Sequence, residues 1–361
     1  RREMTRTPGA ETANGIDPRT LYRHTATLKK EIELDTKERE AVEQSVDRYL
    51  IAAVRDFAKV LELSSEADVD CVFRLVQLWL ANHNNVQINA LIDDIISSVP
   101  SYKFAPLSYQ ILSRLGGVMD EQPSPSSANS QARLAEKLKE TPAKVGFNRT
   151  STACSTFSNN GSGSSDGEDE SGFQLALCRM VLKLCQEHPH HILPQLFALA
   201  HEREFSDDSA VHVKKNLSIS RLETATMLVN QLQSSGGTPN GRELVASTRT
   251  MLLAYIDLAN ASTQALQKVG RTKGIKFKEV QGRGKRFNEV MGALSVQPAV
   301  ITLSLPLSPI NDYSNIVRIE GFQQTFSITD NGISRPKIVT WLLSAGQRKT
   351  AVFLRYGPRW P

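Results

Sequence analysis

The hydrophobic period of this chain changes once, near residue 297, and that change limits what the chain can fold into. Upstream, apolar residues recur at three- and four-residue steps, the spacing of amphipathic helices. Downstream they fall into short runs divided by Pro, Gly, Asn and Asp, the spacing of strands. The expected fold is mostly α, a helical solenoid followed by a partial antiparallel sheet.

The helical part begins with Asp17-Pro18, a cap residue followed by a proline suited to the first helical turn. Leu28, Ile32 and Leu34 lie among alternating Lys and Glu, a solvated face with i,i+4 pairing. Val42, Val46, Tyr49, Leu50, Ala53, Val54 and Phe57 extend the helical step over four turns. Next, Val69, Val72, Phe73, Val76 and Leu80 form one stripe while Leu75, Leu78 and Trp79 fill the other side. This reading expects a helix covered on both faces, as inside a stacked array. Helices over 86–99 and 104–115 follow, with a stop at Gly116-Gly117. Residues 1–117 are thus expected as helical repeats.

Residues 118–170 are rich in Ser, Asn, Gly and Pro and read as a disordered insertion, apart from a charged helical patch at 131–140. Residues 171–290 return to helix, starting with the stripe Phe173, Ala176, Leu177, Met180, Val181 and Leu184. The Lys/Arg-rich stretch 270–286 then leads out of the helices and reads as a solvated loop, with DNA phosphates or nuclear import as the rival readings. Strands are expected at 300–305, 316–319, 326–328, 338–343 and 351–354, so that 297–361 forms the sheet.

Lys and Arg total 43 against 38 Asp and Glu, a mild surplus of five that does not demand a nucleic-acid partner. No apolar run approaches the roughly 20 residues that span a bilayer, and Arg1–Gly15 has no apolar core of a secretory signal. A membrane role is therefore not expected. Four cysteines are too few for a disulfide framework in 361 residues, so an intracellular, reduced protein is expected. Cys178 and Cys185 with His188, His190 and His191 make a weak zinc candidate. Two cysteines seven apart on an apolar helix face are more often plain core, and the His-Pro-His-His corner is expected to cap helices.

Lys337 is the residue most suited to chemistry. Preceded by Pro336 and followed by Ile338-Val339-Thr340-Trp341, it stands at the entrance of a strand, where an ammonium can hold phosphate oxygens as a point charge. On spacing alone an edge lysine that blunts strand pairing is the commoner case.

Its context resembles a known family. Asp312-Tyr313-Ser314-Asn315-Ile316-Val317-Arg318-Ile319-Glu320-Gly321-Phe322, then Phe326, then Arg335-Pro336-Lys337-Ile338-Val339, resembles the opening of the kinase domain of phosphatidylinositol-3-kinase-related protein kinases. Upstream, Val72-Phe73-Arg74-Leu75, Leu78-Trp79-Leu80, the run Pro100 to Gln110, and His188-Pro189-His190-His191 are similar to the FAT region of the ataxia-telangiectasia-mutated and fungal telomere-maintenance branch.

The resemblance implies a nuclear serine/threonine protein kinase of the DNA double-strand-break checkpoint and telomere maintenance. It implies ATP with Mg or Mn as cofactors, and protein substrates phosphorylated at Ser or Thr before Gln. It further implies a DNA-damage sensor complex as partner and a homodimer through the helical region. Lys337 matches the family's phosphate-binding lysine. Gly321, Phe322, Gln323 and Gln324 match the loop between the first two strands that covers the nucleotide, and Trp341 and Leu343 fall where strand residues back the adenine.

The family's Asp-Arg-His-x-x-Asn and Asp-Phe-Gly strings do not occur in this sequence, so no catalytic or metal residue is assigned. The chain is expected to be a fragment, or diverted near Thr350, and inactive alone. The alternative is a non-catalytic helical scaffold for protein partners.

Overall fold

The computed structural model describes residues 18–65, 68–116, 134, 136, 138, 166–201, 215–235, 239–296, 298, 305–329, 336–344 and 348–353. Most of the expected disordered insertion, and the expected strand at 300–305 apart from Leu305, lie outside them. The chain divides into two units, Arg1–Asp56 and Phe57–Pro361.

In the first unit the described residues belong to one helix, α1 (Pro18–Leu63), whose first residue is the proline marked in the sequence. Its surface is the predicted charged one, with Lys37–Glu33 at 2.8 Å and Arg39–Glu43 at 3.4 Å. Such exposed pairs contribute about 0.3–0.5 kcal/mol each.

The second unit continues with α2 (Asp68–Ala81) and α3 (Val86–Ser98). Asn85 accepts from the backbone N–H groups of Gln87 and Ile88 and so starts α3. Only one side of α2 is covered. Val72, Leu75, Val76 and Trp79 are buried, whereas Val69 is 79% exposed and Phe73 46%. The expectation of a two-sided helix is corrected: the buried residues share one face at i, i+3, i+4 and i+7, and apolarity on the far side was not matched by a neighbour. The expected helix over 104–115 is a 3₁₀ turn, Ala105–Leu107, followed by α4 (Ser108–Leu112), with another 3₁₀ turn, Ser101–Lys103, before it, because Pro100 and Pro106 interrupt the ladder.

Gly116 ends this block at φ +87, with a Cβ at that position falling onto the backbone of Ser220 and Arg221. Glycine is required there for conformation and close approach together.

Helix α5 (Asp166–Glu187) starts seven residues before Phe173, so the acidic run lies inside its first turns. Phe173 meets Trp79 edge to face at 5.5 Å, and the Trp79 indole N–H donates to Asn89 at 3.0 Å. Cys178 and Cys185 are free and buried among apolar neighbours. Burial pushes the Cys178 thiol up to about 12 and the Cys185 thiol up as well, so both stay neutral. Helices α6 (Pro189–Ala200), α7 (Lys215–Ser235), α8 (Pro239–Asn260) and α9 (Gln264–Lys268) complete the helical part.

The stretch 270–286 is not a solvated loop. It holds β1 (Ile275–Lys276) and 3₁₀ turns at Phe277–Glu279 and Arg283–Arg286, and α10 (Phe287–Gly292) follows it. Ile275, Phe277, Val280 and Phe287 enter a core cluster with Leu258, Phe326, Ile328 and Val339. The alternation Ile275-Lys276-Phe277-Lys278 carried that signal, masked by the surrounding charge.

The sheet contains β2 (Ile319–Phe322), β3 (Thr325–Ile328), β4 (Lys337–Leu343) and β5 (Arg348–Phe353) besides β1. All described pairings are antiparallel. Strand β5 lines one edge of β4, while β2 and β3 follow each other along the opposite edge. Phe322 faces Trp341, the Gln323 N–H donates to Thr340 O at 3.0 Å, and Ile328 faces Lys337.

Residues 323–324 are therefore an irregular step within one bent edge, and not a hairpin loop. A second register shift between Ile319 and Gly321 lets Ile319 and Phe322 both turn toward the core, although they are three residues apart.

Candidate functional site

Alternation along β4 sends Lys337, Val339 and Leu343 to the same, buried side of the sheet. Lys337 stands at the strand root and is only 3% exposed. Its ammonium donates to the Ala259 carbonyl at 2.7 Å, in the last turn of α8. The carbonyls of a helix C-terminus carry partial negative charge, so a cation is favoured there.

Of the other residues expected at the site, Gly321 faces Leu342 and Phe322 faces Trp341, at the far end of β4 from Lys337. Four residues of strand separate the two ends, about 13 Å at the usual rise. Sequence reasoning placed Gly321 and Phe322 in a loop, but both are strand residues. Phe322 fills an aromatic core, edge-on to Phe287 at 4.9 Å.

A side chain at Gly321 would touch only the Leu342 side chain at 3.9 Å, so local sterics do not demand glycine. Trp341 packs with Tyr255, Met251 and Leu343. Burial raises the Tyr255 hydroxyl well above its ordinary value, with the Trp341 indole acting in the opposite direction.

One cleft, of about 140 Å³, lies between α8 and the segment 283–290, lined by Thr250, Leu253, Ala254, Asp257, Arg283, Phe287 and Val290. None of the expected site residues lines it, and ligand pockets are typically 300–1,000 Å³. Among the described residues no group of three His, Cys, Asp or Glu side chains is placed to hold a metal ion. The residues thus fit a nucleotide in part: a buried cation at a strand root is present, while a glycine-dependent cradle is not.

Sequence reasoning missed a polar junction between the helices and the sheet. The Tyr313 hydroxyl bonds His188 Nδ1 at 2.6 Å and accepts from the Ser308 N–H at 3.4 Å. Its ring meets His188, His190 and His191 with centroids 6.0, 5.5 and 5.7 Å away. His188 Nε2 bonds Ser101 Oγ at 2.8 Å, and that hydroxyl also donates to Glu187. From Tyr313 the chain runs to Arg318, whose N–H donates to Ser344 Oγ at 3.0 Å, and so into β2. The His-Pro-His-His corner is therefore a socket for Tyr313 as well as a helix start. A separation of 125 residues hides such a contact from any local pattern.

Burial pushes His188 and His190 down to about 4, aided at His190 by the Arg318 charge. An unfolded histidine titrates near 6.5. The unfolded chain therefore binds the additional protons, and stability rises with pH between about 4 and 6.5. We expect the melting temperature to hold above pH 6.5 and to fall as pH is lowered through that window. In His190→Phe the fall should be shallower, and an unchanged slope would remove His190 from the account.

The described residues form a helical region followed by a small antiparallel sheet with a buried lysine at a strand root, a fold similar to a helical region leading into a protein-kinase N-lobe. The solved structures agree. The FAT and kinase domain of CtTel1 matches with a TM-score of 0.64 and 21% identity over 92% of this chain and 18% of that one. The open conformation of CtTel1 matches with a TM-score of 0.65 over 92% of this chain and 10% of that one, also at 21% identity.

The homologues are ATM and Tel1 serine/threonine kinases. Serine-protein kinase ATM of Sus scrofa is 26% identical over 341 residues, 91% of this chain and 9% of the relative. ATM of Arabidopsis thaliana is 26% identical over 325 residues, 89% and 7%, and Tel1 of Neurospora crassa is 22% identical over 325 residues, 90% and 9%. The chain thus spans about a tenth of the length of these relatives. No protein-family model matches it.

Proposed function

We propose that this chain is the part of a nuclear DNA-damage and telomere-maintenance kinase in which the FAT-like helices meet the N-lobe. In the whole protein, Lys337 would hold phosphate oxygens of ATP, and the irregular step at Gln323, with the backbone of Gly321 and Phe322 beside it, would lie over the nucleotide. Bound ATP, with Mg or Mn held by residues outside this chain, supplies the phosphoryl group for Ser or Thr in protein substrates. The carrying observation is the burial of an ammonium at the root of β4, in a sheet with this fold. Burying a cation is costly unless it is held by oxygens, and here the α8 carbonyl holds it. We read that carbonyl as the resting partner, which phosphate oxygens would join or replace.

Homodimerisation belongs to the same reading, supported by the C2-symmetric dimer of CtTel1. So does recruitment by a sensor complex at DNA ends or telomeres, for which the support is the homology alone. The hold of Ala259 on Lys337 also favours a second reading, a scaffold in which the lysine only ties the sheet to α8.

Phosphorylation of a Ser-Gln peptide by the whole protein encoded at this locus separates the two. Lys337→Ala should lower kcat about 10²–10³-fold, the usual cost of removing one preorganised charge at a transition state, with the protein still folded. Wild-type kcat in the alanine variant, or no activity in the unaltered protein, would leave the scaffold standing. The isolated chain should bind ATP negligibly, with or without Lys337.

A further inference from the structure

The chain's positive surplus is not spread over its surface. Between Arg271 and Arg286 there are seven cations and one carboxylate, a local surplus of six, while the whole chain has a surplus of five. The other 345 residues together are therefore one charge negative. All seven cations are exposed.

The backbone that carries them is fixed. Ile275, Phe277, Val280 and Phe287 enter one core cluster, and Gly284 is buried where a Cβ would meet Ala261 at 2.9 Å and the Asp257 carbonyl at 3.1 Å. With the inward side chains committed to one cluster, the cations of this short ribbon are held at the solvent surface on a fixed backbone. Arg271 is held by Glu279 at 2.9 Å and Arg286 by Glu289 at 3.2 Å. Arg283 lines the small cleft beside Asp257. Among the described residues, the ammonium groups of Lys273, Lys276, Lys278 and Lys285 make no hydrogen bond or ion pair.

We infer that this ribbon is a binding surface for the phosphate backbone of duplex nucleic acid. Protein interfaces depend on buried aromatic and aliphatic anchors, and single-stranded nucleic acid is held by stacking on exposed aromatics. Between Arg271 and Arg286 every aliphatic and aromatic side chain is buried, so the ribbon offers neither. It offers rigid, unpaired cations, the requirement for sequence-independent phosphate contact with release of counterions.

Fluorescence anisotropy of this chain with two labelled 20-base-pair duplexes of unrelated sequence tests the inference. Both should bind equally, with a dissociation constant of about 10⁻⁴–10⁻⁶ M near physiological salt. Four phosphate contacts predict a log–log salt slope near −3.6, so affinity should fall about 10²-fold between 50 and 200 mM salt.

A variant with Lys273, Lys276, Lys278 and Lys285 all changed to Gln should lose most of that slope while keeping the circular dichroism and melting temperature of the parent. Duplex binding with an unchanged slope in this variant would place the site elsewhere. Tighter binding to a polyglutamate peptide of matched charge would make the partner an acidic protein, and tighter binding to a single strand would require stacking. Any of these results, or no salt-dependent binding, would overturn the inference.

Discussion

Replacing Phe287 with alanine should destabilise the chain by about 3–5 kcal/mol, the cost of emptying a well-packed aromatic site. Phe287 is 1% exposed and stands where the helices meet the sheet. Its ring stacks on Phe277 with centroids 4.9 Å apart, meets Phe322 edge-on at 4.9 Å, and stacks more loosely on Tyr255 at 5.9 Å. Removing it takes a partner from β2, from α8 and from the 3₁₀ turn after β1 together, and little backbone nearby is free to collapse into the void. Chemical denaturation followed by far-UV circular dichroism is the check, with Phe287→Leu as a milder companion. A loss below about 1 kcal/mol for the alanine variant would mean that the sheet does not depend on this aromatic group.

Lys103→Ala should be comparably damaging, for an electrostatic reason. The side chain of Lys103 is 4% exposed, and its ammonium donates to Leu61 O at 2.6 Å and Ser64 O at 2.7 Å while pairing with Asp68 at 2.8 Å. It closes the C-terminal end of α1 and ties the start of α2 to the turn after Pro100. Truncation removes the cation and leaves three oxygens to find other partners, a change that typically costs about 3–5 kcal/mol when one member of a buried pair is lost. Lys103→Ala with Asp68→Ala tests the coupling. The double variant should be less destabilised than the sum of the singles, whereas simple additivity would mean that the pair acts as two separate groups.

What the sequence disclosed and what it hid divide by range. Local period was enough for Phe173, Leu177, Met180, Val181 and Leu184, and for the run Lys337–Leu343, because burial on one face writes itself into the spacing. It failed at Val69 and Phe73, where an apolar side chain does not imply a neighbour to cover it. Another failure was Ile275-Lys276-Phe277-Lys278, whose two-residue alternation was read as loop because every outward position is charged. At Gly321-Phe322 the resemblance implied a loop between two strands, yet the residues form an edge strand that runs into a two-residue irregularity.

The longest contacts were beyond any local reading. Tyr313 in its histidine socket and Lys337 on the Ala259 carbonyl join residues 125 and 78 positions apart. Local propensity does not encode such pairs, and the resemblance that pointed to Lys337 carried no information about its resting partner.

The central claim is that the ammonium at the root of β4 meets the phosphates of a nucleotide in the whole protein. An acyl-phosphate derivative of ATP, which transfers its acyl group to a lysine amine lying beside the phosphates, tests this directly. Treatment of the whole protein followed by peptide mass spectrometry should find Lys337 acylated, with the modification suppressed by excess ATP. Exposed lysines such as Lys273 should react no more than background. If Lys337 is unmodified while another lysine is labelled in an ATP-protected way, or if its labelling ignores ATP, then β4 carries a structural tether and the nucleotide reading is wrong.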